Sequence, residues 1–366
     1  MEEGDLEIKE LFIPQGQQSE IVDNPEKDFI DVLKMFAPGT SLRTALDDLL
    51  RARMGALIVF DNGYLGTIVE RGFKINCKFS SQKLVELCKM DGAIILSRNG
   101  KKILSANALL MPSGNISTKE TGTRHKSAER TSKQAKTIVI AVSERKNKIS
   151  IYYGDINYRL ESTSEIFRKA TETLQILEKQ KELFNELLDN LNVLELRRIA
   201  TTNDVCLVLQ RGEIIKRISE IVRRYLVELG KEGSIISIRM KELMSNVYKE
   251  QEMILKDYFG QEFSSSLELL EKMNFEFLIE PLSVIRVLFD EVHHKTIYPK
   301  GYRILSKTNL LEHYVESLIS HFGSLDKVLV SKDKELLEVL ESEEIISFFR
   351  EEIYNLKEKL SIGRRI

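Results

Sequence analysis

The 366-residue chain has little of what marks a secreted, fibrous or disordered protein: 6 prolines, 19 glycines and 3 cysteines. With 42% hydrophobic and 30% charged residues, this composition excludes a collagen-like or wholly disordered chain and favours a folded, helix-rich protein. Cys77, Cys88 and Cys206 are far apart and odd in number, which fits neither a disulfide framework nor a C-x-x-C zinc motif. A reducing cytoplasm is therefore the simplest expectation.

The chain also lacks an excess of one charge and a long apolar run. Lys and Arg number 54 against 56 Asp and Glu, a formal net charge of −2, so no global basic field attracts nucleic acid or an anionic membrane. No segment approaches the roughly 18 apolar residues of a membrane span. Residues 1–18 are acidic and polar where a signal peptide would be basic and then apolar. We expect a soluble cytoplasmic protein with no membrane partner.

The length predicts two or three domains, because domains commonly have roughly 100 to 200 residues. Residues 1–24 are polar without a sustained period, which indicates a flexible N-terminal extension. Residues 25–158 alternate short apolar runs with amphipathic segments, which predicts an α/β domain with a mixed, twisted central sheet flanked by helices. The predicted strands are Ala56 to Phe60, Ala93 to Leu96, Ile103 to Met111, Ile138 to Val142 and Ile149 to Tyr153, and the predicted helices cover 38–53, 81–90 and 124–136.

An all-α helical spine is predicted for residues 159–319. Apolar residues from Ile166 to Leu191 recur on one face of a long helix, which the polar pair Gln180-Lys181 should interrupt. Residues 320–366 predict a small helical unit, too short to hold a large core alone.

One candidate for chemistry is Met90-Asp91-Gly92-Ala93, between a predicted helix and a buried strand. A carboxylate at such a junction, followed by a glycine that lets a ligand approach the backbone, is typical of a metal or hydroxyl-binding site. Taken alone, an Asp-Gly pair more often marks an ordinary turn.

A second candidate is the glycine-containing loop and helix start from Glu120 to Arg130. Residues 117–136 hold six Lys or Arg against two Glu, in a chain that is slightly acidic overall. Arg124, His125 and Lys126 occupy the first helical turn, where the positive end of the helix dipole disfavours cations. A bound phosphate would offset this through backbone N–H groups, hydroxyls and cationic side chains. The alternative is a solvated basic helix face.

No P-loop, dinucleotide-binding glycine motif, kinase loop or zinc-protease motif occurs. His293-His294 has no ligand partner at metal spacing, and we interpret the pair as ordinary surface. The two candidates above are those that carry chemistry.

The two candidates together resemble the signatures of a known family. Asp91-Gly92-Ala93 followed by Gly122-Thr123-Arg124-His125 is similar to the diadenylate cyclase domain of the DNA integrity scanning proteins. The resemblance runs from about Asp28 to the C-terminus. Its further matching segments are Gly55-Ala56-Leu57-Ile58, Ala141-Val142-Ser143, Leu177-Glu178-Lys179, Val193-Leu194-Glu195-Leu196 and Gly301-Tyr302-Arg303.

The resemblance implies a nucleotidyltransferase that condenses two ATP molecules into the second messenger cyclic di-AMP and two pyrophosphates, with Mg²⁺ or Mn²⁺. Two catalytic domains would meet face to face, because each 3′-hydroxyl must reach the α-phosphorus of the opposite nucleotide in line. It also implies a homo-oligomer, an octamer by analogy, that acts at a DNA-damage checkpoint.

The same resemblance implies the site residues. Asp91 would lie beside the 3′-hydroxyl and the metal, and the backbone of Gly92 and Ala93 would lie close to the nucleotide. The other implied ATP-binding residues are Leu110 against adenine, Thr123, Arg124, His125 and Lys126 around the triphosphate, and Ser127 and Ser143 as hydroxyl contacts to phosphates.

Two positions depart from the family pattern. The second signature has Lys126 where the family has arginine, which keeps the charge but loses the planar fork. The family's C-terminal helix-hairpin-helix holds DNA phosphate with a Gly-x-Gly turn, and here that place is taken by Glu341-Ser342-Glu343-Glu344-Ile345. Residues 320–366 carry eight Lys or Arg against ten Asp or Glu, which disfavours DNA binding by this degenerate helix-hairpin-helix-like unit.

A diadenylate cyclase is the leading hypothesis. The main alternative is a DNA-structure-sensing or nucleotide-binding module with weak or lost cyclase activity, which the acidic tail disfavours. A structural scaffold is the third, and it leaves the clustered charges of residues 117–136 unexplained.

Overall fold

The computed structural model describes residues 25–290 and 295–361. The predicted flexible extension, residues 1–24, and the pair His293-His294 lie outside these described residues. The observed architecture is a mixed sheet with flanking helices followed by a long helical region, which confirms the predicted fold class.

The N-terminal domain is built on one mixed sheet. Across the described residues the strand order is β2-β5-β4-β1-β6-β7-β8, and β3 pairs with β5 beside β2. Only β1 and β4 pair in parallel among the described strands, and every other pairing is antiparallel. The strands are β1 (Ala56–Phe60), β2 (Val69–Glu70), β3 (Phe73–Lys78), β4 (Ala93–Leu96), β5 (Lys102–Leu110), β6 (Ile138–Ser143), β7 (Lys148–Tyr153) and β8 (Ile156–Leu160).

Helices cover both faces of this sheet. β1 and β4 are buried along their whole length, as expected for strands with a helix layer on each side. Three helices share a hydrophobic core with one face, and the other face packs on the helix that follows β5. These helices are α1 (Pro25–Lys34), α2 (Ser41–Arg51) and α3 (Ser81–Leu87) on the first face and α4 (Thr123–Ala135) on the second.

The helical region begins with α5 (Thr163–Arg197), which runs without interruption through Gln180-Lys181. The expected break is therefore wrong, and the reason is local. The Gln180 side chain accepts a hydrogen bond from Arg211 of α6 (Thr202–Leu229), and Lys181 Nζ donates to the Ser245 carbonyl at 3.1 Å. The two polar residues are accommodated by neighbouring helices, so the helix has no need to end there.

Shorter helices complete the spine around α5 and α6. Their common core includes residues of α6 from Val205 to Leu229, while Val227 near the end of α6 packs against the core of the α/β domain. The shorter helices are α7 (Ser234–Met244), α8 (Val247–Phe259), α9 (Phe263–Lys272), α10 (Phe275–Ile279) and α11 (Pro281–Phe289).

Five further helices pack on a separate apolar core, which also includes Leu196 of α5. The predicted boundary at residue 320 stays a prediction, although one helix spans it. The helices are α12 (Tyr302–Leu305), α13 (Glu312–Phe322), α14 (Leu325–Val330), α15 (Asp333–Leu340) and α16 (Glu343–Ser361).

Glu341 and Ser342 connect α15 to α16 in a tight turn, with Glu341 in the left-handed region at φ 57°. Glu343 and Glu344 are exposed in the first turn of α16, where they are favourable for the helix dipole. The same carboxylates would repel a DNA phosphate at this turn.

A buried ionic network joins the spine to the C-terminal unit. The Arg303 side chain, 1% exposed, donates to Asn192 and Glu195 on α5. The Asp257 carboxylate on α8 accepts three backbone N–H groups from residues 301–303, at 2.7 to 3.1 Å. Burial raises the pKa of Glu195, and the adjacent Arg303 guanidinium opposes that rise. These buried charges therefore hold the two units together, and removal of one would leave its partner buried without a compensating charge.

Within residues 25–290 and 295–361, every helix is too short or too polar to cross a membrane.

Candidate functional site

The candidate residues lie at one edge of the sheet. A row of paired residues crosses four strands in the order Ala108, Ala93, Leu57 and Ala141, on β5, β4, β1 and β6. Asp91 and Gly92 come just before this row, and Ser143 comes two residues after it. Two segments that are far apart in sequence are thereby brought to one edge.

Gly92 is a position that only glycine fits. Its φ is +90°, and a Cβ atom there would lie 2.9 Å from the Ala108 carbonyl oxygen and from the Asn107 carbonyl carbon. Asn107 is itself in the left-handed region at φ 52°, where β5 is irregular opposite β4, and its Nδ2 donates to the Asp91 carbonyl at 2.6 Å. The Asp91-Gly92 turn is therefore pinned against β5, and the Asp91 side chain is left exposed.

The N-terminus of α4 faces the same edge. Gly122 is the N-cap and supplies no side chain to the free N–H groups, while its carbonyl accepts the Lys126 N–H at 2.8 Å. A Cβ atom at Gly55, the residue before β1, would lie 2.2 Å from Nη1 of Arg124. The Arg124 guanidinium thus occupies the space beside Gly55 that a side chain would fill, a contact that sequence reasoning did not identify.

The side chains of the first turn differ in exposure. Thr123 and Lys126 are exposed, whereas Arg124, His125 and Ser127 are half-buried. Burial raises the pKa of the Cys88 thiol on the α3 side to about 12, and the positive charge of Arg124 opposes the rise. The charge of Arg124 therefore acts on Cys88, the C-cap residue of α3, three residues before Asp91.

Burial and neighbouring charges shift the pKa of His125 in the first turn of α4. Burial lowers the pKa of its imidazole below the usual 6.5; Glu120 acts in the opposite direction, and Arg124 and Lys146 lower it further. The imidazole is therefore favoured in its neutral form at neutral pH. A phosphate bound beside it would favour the protonated form, because an opposite charge stabilises the imidazolium.

Part of the basic run has a structural role. Arg130 Nε donates to the Ile116 carbonyl at 3.0 Å, and Lys133 pairs with Glu129 at 2.7 Å. Both side chains fasten the loop before α4, because Lys133 Nζ also donates to the Ser117 carbonyl at 3.4 Å. The local charge excess available to a ligand is therefore smaller than the sequence count suggests, and Arg124 and Lys126 supply the cationic side chains of the first turn.

Leu110 and Ser143 lie at the same edge but differ in access. Leu110 is 8% exposed and belongs to the apolar core between the sheet and α4, whereas the next residues on either side, Leu109 and Met111, are 47% and 54% exposed. Ser143 is half-buried at the end of β6, and its Oγ accepts the Lys146 N–H at 3.2 Å. Contacts of Leu110 with adenine and of Ser143 with phosphate remain predictions.

Among the described residues, no group of three or more His, Cys, Asp or Glu side chains could hold a metal ion. Asp91 is a single exposed carboxylate near a cationic helix start. This donor set suits Mg²⁺, which proteins commonly bind through one or two carboxylates together with substrate phosphates.

Two family models match most of the chain. Residues 43–156 match the DisA bacterial checkpoint controller nucleotide-binding domain, and residues 160–294 match the linker region of the same controller. The first match includes Asp91 and the start of α4, the two segments that the sheet brings together.

Curated relatives extend the similarity over nearly the whole length. The DNA integrity scanning protein DisA of Clostridioides difficile is 41% identical over 350 residues, which cover 93% of this chain and 98% of the relative. The corresponding protein of Acetivibrio thermocellus is 42% identical over 323 residues, 86% of this chain and 90% of the relative. A crystal structure of DacA from Staphylococcus aureus is 31% identical and covers 39% of this chain and 94% of its own, with a TM-score of 0.30. By its matched domains and its full-length relatives, the chain belongs to the DNA integrity scanning protein family.

Proposed function

We propose that the protein is a diadenylate cyclase, a nucleotidyltransferase that joins two ATP molecules into cyclic di-AMP and releases two pyrophosphates. The observation that supports the proposal is that the Asp91-Gly92 turn precedes β4, and Arg124 of the first turn of α4 contacts Gly55 just before the paired strand β1, at the same end of the sheet. A carboxylate for a hydroxyl and a cationic cradle for a triphosphate are the two features that this reaction requires.

The α4 start supplies the cradle. Free backbone N–H groups at a helix N-terminus attract a phosphate, and Arg124, His125 and Lys126 add positive charge around them. Because Gly122 caps the helix without a side chain, no internal carboxylate or hydroxyl from the N-cap residue competes for those N–H groups. Thr123 and Ser127 add hydroxyls on the same turn.

Asp91 would act on the nucleophile. Its carboxylate orients the 3′-hydroxyl and accepts the proton as the oxygen bonds to the α-phosphorus of the opposite nucleotide, while the bond to the β-phosphate breaks and pyrophosphate leaves. Arg124 and Lys126 would stabilise the negative charge that accumulates on the leaving pyrophosphate. The tight backbone at Gly92 lets the sugar approach the turn.

The divalent cation, Mg²⁺ or Mn²⁺, would be held by Asp91 together with the substrate phosphates, and it would lower the charge of the triphosphate. We expect it to arrive with ATP, because the described residues offer one carboxylate here and no closed ligand set.

Each site reacts with a nucleotide held by another copy, so the proposed active form is a homo-oligomer in which two catalytic domains face each other. The octamer is proposed by family analogy. DNA is a possible regulator in the family, and the exposed Glu341, Glu343 and Glu344 at the α15 to α16 turn disfavour that role here.

The Asp91→Asn variant tests the assignment of the carboxylate. The amide has nearly the same shape but is not a base, so ATP binding should be largely retained and cyclic di-AMP formation should fall by at least about a hundredfold. Titration calorimetry with ATP and Mg²⁺ measures the first quantity, and mass identification of the product measures the second. Near-normal turnover would remove Asp91 from the mechanism.

A further inference from the structure

The loop before α4 is fastened to that helix over its whole length. The first bonded residue of the loop contacts the C-terminal end of α4, and the later ones contact residues 129–133, nearer the helix start. Ser113 N–H donates to Gln134 at 2.8 Å, Ile116 accepts from Arg130, and the Thr118 hydroxyl donates to Glu129. The loop is therefore held antiparallel along α4.

Glu120 comes next in the loop, and its side chain bonds to the sheet instead of to α4. Its Oε1 accepts the Tyr152 hydroxyl of β7 and Nδ2 of Asn157 of β8, each at 2.9 Å. Its own N–H donates to Thr118 at 3.1 Å. Glu120 thus joins the loop to the sheet two residues before the N-cap Gly122.

We propose that Glu120 is a positioning residue for the α4 site: it clamps the loop to β7 and β8 so that Thr123, Arg124 and His125 face the sheet edge. The inference rests on the proposed function only in taking the first turn of α4 as the triphosphate cradle. Glu120 itself has its bonds to Tyr152 and Asn157 and needs no contact with substrate.

The geometry explains why a clamp is needed at this point. Gly122 offers no side-chain cap, so the start of α4 lacks the bond that usually fixes the entry of a helix. The Glu120 clamp supplies a long-range substitute, because Tyr152 is 1% exposed and fixed in the core. If the first turn of α4 moved, the guanidinium of Arg124 would lose its contact with Gly55.

The test compares two substitutions at one position in the full-length protein. Glu120→Gln keeps a carbonyl oxygen that can accept both hydrogen bonds, whereas Glu120→Ala removes the clamp. We expect Glu120→Ala to raise the Kd for ATP with Mg²⁺ about tenfold, and Glu120→Gln to stay within about threefold of the parent. Glu172→Ala, which removes an exposed carboxylate paired with Arg168 on α5, is the matched control and should leave the Kd unchanged.

Asn157→Ala provides an independent variant, because Asn157 is exposed and its loss removes one bond of the clamp without a core change. It should raise the Kd for ATP about threefold. It also carries the test if Glu120→Ala does not fold, as judged by circular dichroism.

Parent-like ATP binding by folded Glu120→Ala, or by Asn157→Ala, would overturn the proposal. So would a folded Glu120→Gln as defective as Glu120→Ala, since the negative charge rather than the clamp would then matter. ATP binding and product formation are measured separately. If the variants change the Kd for ATP as expected but the parent protein makes no cyclic di-AMP, the proposed function is refuted. The positioning role of Glu120 is then still supported.

Discussion

Lys126 is the residue at which this chain departs from its family's second signature, and the structure leaves its side chain exposed on the first turn of α4. An ammonium group can neutralise a phosphate from many directions, whereas a guanidinium holds two oxygens in one plane. Charge and geometry can therefore be separated at this position.

Lys126→Arg should lower the Kd for ATP or raise turnover, and Lys126→Ala should raise the Kd about tenfold and reduce turnover. Titration calorimetry and a product assay measure the two quantities. Lys133 is unsuitable as a control, because it fastens the loop through Glu129. Lys136, exposed at the far end of α4, is the appropriate one, and Lys136→Ala should do little. If all three variants have the same Kd for ATP and the same turnover, Lys126 lies on a solvated helix face and does not hold the triphosphate.

Residue types in the site were predictable from sequence, and their contacts were not. Asp91-Gly92 and Thr123 to Lys126 stood out as two separate segments, and the strand register together with the contact of Arg124 with Gly55 shows that both lie at the same end of the sheet. Sequence patterns assigned no role to Asn107, and they indicated Glu120 only as the first residue of the second candidate segment, because a single Asn in a strand or a Glu in a loop has no periodic signal. Asn107 matters through its φ of 52°, which no pattern of apolar residues reveals.

Among the elements, the buried strands were predictable and the exposed ones were not. The predicted strand at Ala56 to Phe60 is confirmed as β1, because five consecutive buried apolar residues leave few other interpretations. β3 was missed since it lies at the outer edge of β5 with mostly exposed residues, Phe73 among them at 63%. Edge strands need no apolar run, so their sequence signal is weak.

The junction between α5, α8 and α12 gives a prediction at the scale of elements. Arg303→Met removes the buried cation and leaves Glu195 buried without its cationic partner, so the free energy of unfolding should fall by about 3 to 5 kcal/mol. Chemical denaturation followed by circular dichroism measures the change.

Arg168→Met, which breaks the exposed pair with Glu172, is the control and should cost at most about 1 kcal/mol. A loss at Arg303 as small as that at Arg168 would show that the buried network does not hold the spine to the C-terminal unit.

For the whole molecule, the account requires two copies for one turnover. Activity per subunit should fall when the protein is diluted below the concentration at which it assembles, although each copy still binds ATP. Light scattering gives the assembly state and a product assay the rate at the same concentrations. A monomer with undiminished activity per subunit would contradict the face-to-face arrangement.

The central claim is that this sheet edge joins two ATP molecules, and the most direct test is the identity and yield of the product. Purified full-length protein is incubated with ATP and Mg²⁺ or Mn²⁺, and the products are identified and quantified by mass spectrometry. We predict cyclic di-AMP with two pyrophosphates for each molecule formed. Failure to form cyclic di-AMP with either cation, in an assembled protein that binds ATP, would contradict the account.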